Sequence, residues 1–325
     1  MPLIAIIGGP TASGKSAVAL RWAQARGYEI LSADSRQIYR GFAIGTGAPT
    51  RDEQVAVPHH LVGHVEGSEA FSPQRFRAEA QAIVMSRPEA NFLVVGGTGL
   101  YLKQWLDPSG EDRGEVPSEV RTAAAREIAD RGGAAVHAGL VEKDPGGMAG
   151  VAPQDLYRIQ KRLENWLYTG RSYVRVVTET EPDPLFAGVP FVWFDPPRET
   201  LHRNIETRIR AMFANGWAEE VEALRAVFDP STAPAFNALG YREIADALRE
   251  GPNPADRTTR EGLIQTILAR TRQYAKKQTT FFRHQFDPAR SRSAQSGPSA
   301  RALRPEEALR KLESSNWDTK SLIQD

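Results

Sequence analysis

The chain has 325 residues, 41% apolar and 25% charged, with a formal net charge of +1 and no cysteine. That composition suits a soluble globular protein with a sizeable core, and the near-zero charge leaves any polyanion site to local clustering. Without cysteine there are no disulfides, thiolate zinc sites or cysteine nucleophiles, which fits a reducing cytoplasm. No apolar run reaches membrane-spanning length, and MPLIAIIGG lacks the basic start and cleavage signal of an export peptide.

Residues 3–7 read as a buried strand. GGPTASGKS (residues 8–16) follows it and runs into a helical pattern over 16–26. Gly9, four intervening residues, then Gly14-Lys15-Ser16 is the phosphate-loop spacing in its proper strand–loop–helix context. Its glycines let backbone N–H groups turn inward, the helix N-terminus adds partial positive charge and Lys15 a full one. Ser16 is placed to ligate Mg²⁺. The loop from Gly9 through Pro10, Thr11, Ala12, Ser13, Gly14 and Lys15 to Ser16 is therefore expected to grip a di- or triphosphate.

Further strands are expected at 29–33, 92–95 and 191–194, and a helix over 72–85 begins at Ser72-Pro73. Strands alternating with helices predict an α/β protein, with a parallel sheet flanked by helices. Two strands end in aspartate, at Asp34 and Asp195, and spacing alone does not choose which serves the phosphate site. Residues 113–184 read as a helical insertion, with helices over 118–131 and 155–168. Long helices are expected over 199–228 and 257–284. The expected division is a core over 1–112 and 185–289, the insertion between, and a mobile Ser/Arg/Pro/Gly-rich tail over 290–325 with a short helix after Pro305.

His59, His60 and His64 invite a metal reading, but no acidic cluster joins them, and a turn or core contact is expected instead. Glu219 and Glu220 read as a helix surface, and Trp22, Trp105 and Trp193 as core. Residues 262–286 hold no acid. There Arg270, Arg272, Lys276, Lys277 and Arg283 interleave with Tyr274, Phe281 and Phe282; the helix from Asp155 carries Arg158, Lys161 and Arg162. Such stripes are solvated helix faces or, where aromatics can stack on bases, nucleic-acid surfaces.

Several motifs occur together in order: GPTASGKS, ADSRQIY with IGT, PHHL, LVVGGTGLYLK, LHRNIETRIRAM, the GYRE element at 239–243, and TRQYAKKQTTFFR at 271–283. The set resembles the tRNA dimethylallyltransferases over nearly all of the chain to residue 284. That resemblance implies a P-loop NTPase-like core and transfer of a dimethylallyl group from dimethylallyl diphosphate to the exocyclic amine of the adenosine 3′ of a tRNA anticodon. The loop would then hold the departing diphosphate with Mg²⁺ on Ser16. Asp34 would be the base, Arg208 with Lys15, the loop amides and Mg²⁺ the leaving-group clamp, and Thr11 and Thr98 would line the diphosphate and reaction channel. The resemblance also implies tRNA contacts at Asp34, Ser35, Arg36, Gln37, Thr98, Arg121, Tyr157, Arg158, Ile159, Gln160, Lys161, Asn237, Gly240, Tyr241 and Arg242. A cytoplasmic monomer is expected. The chain departs from the pattern at Asn204, where arginine is usual, at Gly47-Ala48, where a lysine is missing, and at Gly63, where aspartate is common. Competing readings are an ATP-using small-molecule kinase, a prenyltransferase of free adenine nucleotides, and a non-enzymatic RNA-binding P-loop protein.

Overall fold

The computed structural model describes residues 4–106, 116–173, 189, 191–250, 256–286, 300–303 and 307. It divides into two compact units, Met1–Lys103 with Phe186–Asp325, and Gln104–Leu185. The expected junctions near 112, 184 and 289 lie outside the described residues.

In the first unit, strands β1 (Ile4–Gly8), β2 (Tyr28–Ser32), β3 (His59–His60), β4 (Asn91–Gly96), β5 (Phe191–Phe194) and β6 (Ala300–Leu303) form one sheet. Its order is β3-β2-β4-β1-β5-β6, and every neighbouring pair is parallel. β1 and β5 are buried along their whole length, as strands covered on both faces require. One face packs Ala5, Ile7, Leu93, Val95 and Phe194 against Val18 and Trp22 of α1 (Lys15–Arg26). β5 also meets α11 (Arg257–Phe286), where Trp193 stacks on Phe282 at 5.8 Å and Phe191 meets Phe286 edge-on at 4.7 Å.

Between β2 and β4 lie α2 (Arg51–Ala56), opened by a Thr50–Glu53 capping box, and α3 (Pro73–Ser86), capped by the Ser72 side chain on the Arg75 amide at 3.1 Å. A second core gathers Ile38 and Phe42 with α8 (Arg198–Ala214), α9 (Trp217–Arg225), α10 (Tyr241–Glu250) and α11. The single helix expected over 199–228 is thus two. Gly216 sits at φ 90°, a conformation glycine takes without cost, and turns the chain between α8 and α9. Two strands escaped the sequence reading. β3 is too short to show a period, and β6 lies in the stretch assigned to a mobile tail, pairing with β5 over residues 191–194. Apart from it and Glu307, that tail and its expected helix lie outside the described residues.

Helix α4 (Gly99–Leu106) follows β4 and leads into the second unit, built from α5 (Ser118–Arg131), α6 (Gly133–Lys143) and α7 (Leu156–Thr169). Ala124, Val136, Leu140, Met148, Ile159 and Leu163 make its core. Trp22, Trp105 and Trp193 are buried, as expected. Among the described residues, no helix is long and apolar enough to cross a membrane.

Candidate active site

The carboxyl ends of β1, β2 and β4 open on a cavity of about 400 Å³ lined by Thr11, Lys15, Ser16, Asp34, Arg208 and Tyr274 among others. In a parallel sheet this is where loops leave the strands and where ligands collect. The phosphate loop keeps an open shape through Gly9 at φ 143°, Ala12 at φ 60° and Gly14 at φ 88°. Gly14 caps α1 with no side-chain bond, and the first turn of α1 carries no acid, so its amides stay available to an anion. Lys15 is buried, its Nζ donating to the Pro10 carbonyl at 3.2 Å. Burial draws its pKa down to about 8; nearby Asp34 opposes the shift and Arg208 adds to it. Ser13 is fully buried, and its hydroxyl has no partner among the described residues.

Asp34 stands just past β2. Its Oδ1 accepts the amides of Arg36 at 2.8 Å and Gln37 at 3.4 Å, and Oδ2 has no protein hydrogen bond among the described residues. Of the two strand-end aspartates, Asp34 lines the cavity, whereas Asp195 is not among its lining residues and is paired with Arg283 at 2.7 Å. Thr98, expected to line the channel, is not among the residues lining the cavity and instead braces the corner beside Asp34. Its hydroxyl accepts the Ser35 amide at 3.0 Å, and its own amide donates to the Ala33 carbonyl at 3.3 Å.

Arg208 reaches in from α8. Nη1 donates to the Thr11 hydroxyl at 3.4 Å and Nη2 to the Thr46 carbonyl at 2.9 Å. Burial lowers its pKa, and Asp34 works against that shift. Two departures from the motif pattern have a place here. Asn204, one turn before Arg208, donates to the Ala12 carbonyl of the phosphate loop at 3.1 Å. At Gly47, φ is 59°, and an added Cβ would lie 2.2 Å from Arg208 Nη2. Gly63 faces open space.

Sequence reasoning missed Gln278. From α11 its Oε1 accepts the Thr11 amide at 2.9 Å, and its Nε2 donates to the Gly97 carbonyl at 2.8 Å, tying the phosphate loop to the end of β4. It sits inside the TRQYAKKQ stretch, so the motif marked the place without its role. Of the aromatics near it, Tyr274 lines the cavity while Phe282 belongs to the core. Burial, and then Asp34, push the Tyr274 hydroxyl up to about 12.

The residues that resemblance assigns to RNA separate by burial. Arg36, Gln37 and Asn237 line the cavity, and Arg242 holds Asn237 Oδ1 at 3.0 Å. Tyr241 is fully buried, so its side chain cannot meet an RNA; its hydroxyl donates to Glu220 at 2.6 Å. Gly240 backs onto the Trp217 ring, which would lie 2.1 Å from a Cβ there. In the second unit Tyr157 is 67% exposed and Arg158 is exposed beside Asp155, but Ile159 is fully buried in the helical core. Gln160 and Lys161 bond Glu164 at 3.0 and 2.7 Å, and Arg121 is half-buried on α5.

Glu219 is exposed, as expected of a helix surface, but Glu220 is turned in against residues 43–45. Each of the three histidines has a protein partner, and His59 also lines the cavity. His59 Nδ1 lies 2.7 Å from the Val57 carbonyl, His60 Nε2 2.6 Å from Glu29, and His64 Nε2 2.7 Å from Glu79. No cluster of three or more His, Cys, Asp or Glu suited to a metal occurs among the described residues.

The comparisons with known proteins agree in direction. A family profile described as IPP transferase matches residues 37–285, and one described as isopentenyl transferase matches residues 2–59. The tRNA dimethylallyltransferase of Myxococcus xanthus (strain DK1622) is 42% identical over 291 residues, 87% of this chain and 90% of that protein. That of Phenylobacterium zucineum (strain HLK1) is 38% identical over 286 residues, with the same two shares of 87% and 90%. The structure of a eukaryotic dimethylallyltransferase acting on tRNA matches with a TM-score of 0.74 at 25% identity, covering 88% of this chain and 71% of that one. The full-length tRNA isopentenylpyrophosphate transferase of Bacillus halodurans matches with a TM-score of 0.60 at 26% identity, covering 93% and 90%. With the IPP transferase profile spanning most of its length and relatives of this identity along nearly all of it, the chain belongs to the tRNA dimethylallyltransferase family.

Proposed function

We propose that the protein transfers a dimethylallyl group from dimethylallyl diphosphate to the exocyclic amine of the adenosine 3′ of the anticodon in a tRNA, releasing diphosphate. The observation that carries this reading is the convergence of a carboxylate, Asp34, with a phosphate loop and two cations, buried Lys15 and half-buried Arg208, on one cavity.

An adenine amine is a weak nucleophile because its lone pair is delocalised into the ring. Asp34 is placed to accept its proton through Oδ2, since Oδ1 is already held by two amides. As the N–C bond forms, the C–O bond to diphosphate breaks and charge grows on the leaving oxygens. Lys15, Arg208 and the loop amides lie where they would stabilise that charge. Gln278 takes the Thr11 amide, so the Thr11 hydroxyl, held by Arg208, is its group left to face the phosphates. Ile205, Ile209 and Met212 supply an apolar stretch of wall suited to a prenyl chain.

Mg²⁺ fits the donor set. Ser16 is exposed on the cavity wall, and a phosphate-loop hydroxyl can hold Mg²⁺ together with substrate phosphates and water. Bound there, it would neutralise charge on the diphosphate. Tyr274 keeps its proton through the neutral range and offers a ring to an extruded base. Exposed Lys276 and Lys277 extend the same helix with positive charge.

Incubation with dimethylallyl diphosphate, Mg²⁺ and unmodified tRNA should add one dimethylallyl mass to a single anticodon-loop adenosine, read by nucleoside mass spectrometry. Unmodified tRNA together with ATP turnover in the absence of RNA would mark a kinase; prenylation of free adenine nucleotides alone would mark the smaller-substrate enzyme.

A further inference from the structure

The turn over residues 43–46 carries the carbonyl that holds Arg208, and its own anchorage lies outside the cavity. Glu220 Oε2 accepts the amides of Ala43 at 3.0 Å and Ile44 at 2.8 Å, and Oε1 accepts Gly45 at 3.4 Å. The Tyr241 hydroxyl donates to Oε1 at 2.6 Å and accepts the Gly45 amide at 3.0 Å. Three successive N–H groups converging on one carboxylate form a nest for an anion, filled here by a side chain from α9. Packing closes the same turn. A Cβ at Gly45 would lie 2.0 Å from the Trp217 indole, and the Thr46 hydroxyl donates to the Phe42 carbonyl at 2.5 Å. The next links are Thr46 O to Arg208 Nη2 at 2.9 Å, the space left by Gly47, and Arg208 Nη1 to Thr11 at 3.4 Å.

We propose that Glu220, secured by Tyr241, is the positioning residue for Arg208: it fixes the turn whose Thr46 carbonyl aims the guanidinium at the phosphate loop. This rests on the reading of Arg208 as the diphosphate clamp. Glu220 meets no substrate in this account, and its effect passes through Arg208 alone. Charge matters as much as shape, because three backbone donors face the carboxylate. A neutral amide in its place would set an N–H₂ group against N–H groups.

The test is a double-mutant cycle between Glu220→Gln and Arg208→Ala, read as affinity for inorganic diphosphate by calorimetry and as single-turnover prenyl transfer. Glu220→Gln alone should weaken diphosphate binding and slow transfer about tenfold, with KM for tRNA unchanged, the size expected when one charged hydrogen-bond anchor is lost. In the Arg208→Ala background the same change should add less than twofold. Tyr241→Phe keeps the ring and should show a milder form of the same pattern; it provides the cycle if Glu220→Gln does not fold. Equal losses in both backgrounds would mean a merely structural residue and overturn the inference while leaving the clamp intact. Arg208→Ala with undiminished diphosphate affinity and rate would overturn the clamp reading itself, and this inference with it.

Discussion

Two sets of residues line the cavity: a sheet side of Lys15 and Ser16, which open α1 just after β1, and Asp34, just past β2; and a helical side of Arg208, Tyr274 and Gln278, carried by α8 and α11 late in the chain. The sheet side is held by backbone. β1 and β2 are both paired to β4, and the loops begin where that ladder ends. The helical side is held by side chains that meet partners far off in sequence: Arg208 on Thr46 and Thr11, Gln278 on Thr11 and Gly97. A wall fixed by a ladder tolerates small errors around it. A wall fixed by single hydrogen bonds turns each of them into a control on geometry, and a small misplacement is costly where charge develops.

The largest effect should come from the sheet side. Asp34→Ala should lower turnover about 10²–10⁴-fold, the usual worth of a general base, with tRNA affinity retained in a gel-shift or filter assay. Turnover near wild type would remove Asp34 from the proton transfer and leave the sheet side with diphosphate alone. A smaller loss is expected across the cavity. Arg208→Lys keeps a charge but not the two-pronged grip on Thr46 and Thr11, and should slow transfer about 10- to 100-fold, against about 10²–10³-fold for removal of a whole charge-stabilising donor. A fully active lysine variant would show that charge suffices there and that the hydrogen-bonded geometry is dispensable.

The smallest effect is one of pH. Lys15 is pulled from the ordinary lysine value to about 8, chiefly by burial, so it is charged below that pH and loses its proton above it. A neutral amine no longer attracts phosphate. Affinity for dimethylallyl diphosphate should therefore be flat from about pH 7 to 8 and then weaken by up to about tenfold per unit as pH rises further. Calorimetry at pH 7, 8 and 9 measures this, and Lys15→Met should flatten the slope. A slope unchanged in that variant would place the titrating group elsewhere.

The legible parts share a property: their meaning is contained in consecutive residues. The phosphate loop, the strand before it and the helix after it occupy one short stretch, and Asp34 follows its strand directly. Readings failed where a side chain's direction depended on a packing partner. Tyr241 sits in the GYRE element and Ile159 in the basic helix from Asp155, both otherwise rich in polar groups, yet each is buried. Glu220 has the look of a solvated acid beside Glu219, and only the approach of residues 43–45 makes it an anchor. The break at Gly216 was hidden because an isolated glycine in a helical pattern is often tolerated.

Local order could announce the architecture, the cradle and its carboxylate, because backbone conformation, strand burial and loop chirality are dictated by neighbours along the chain. It could not announce which of two strand-end aspartates faces the cavity, which acid is anchored, or which arginine contacts come with Arg208. Those depend on residues separated by most of the chain, such as Thr11 and Gln278 or Glu220 and Ile44, being brought within hydrogen-bond distance by the packing of α8, α9 and α11. A hydrogen bond is short-ranged and directional, so its partners are settled only once the core that carries them has closed.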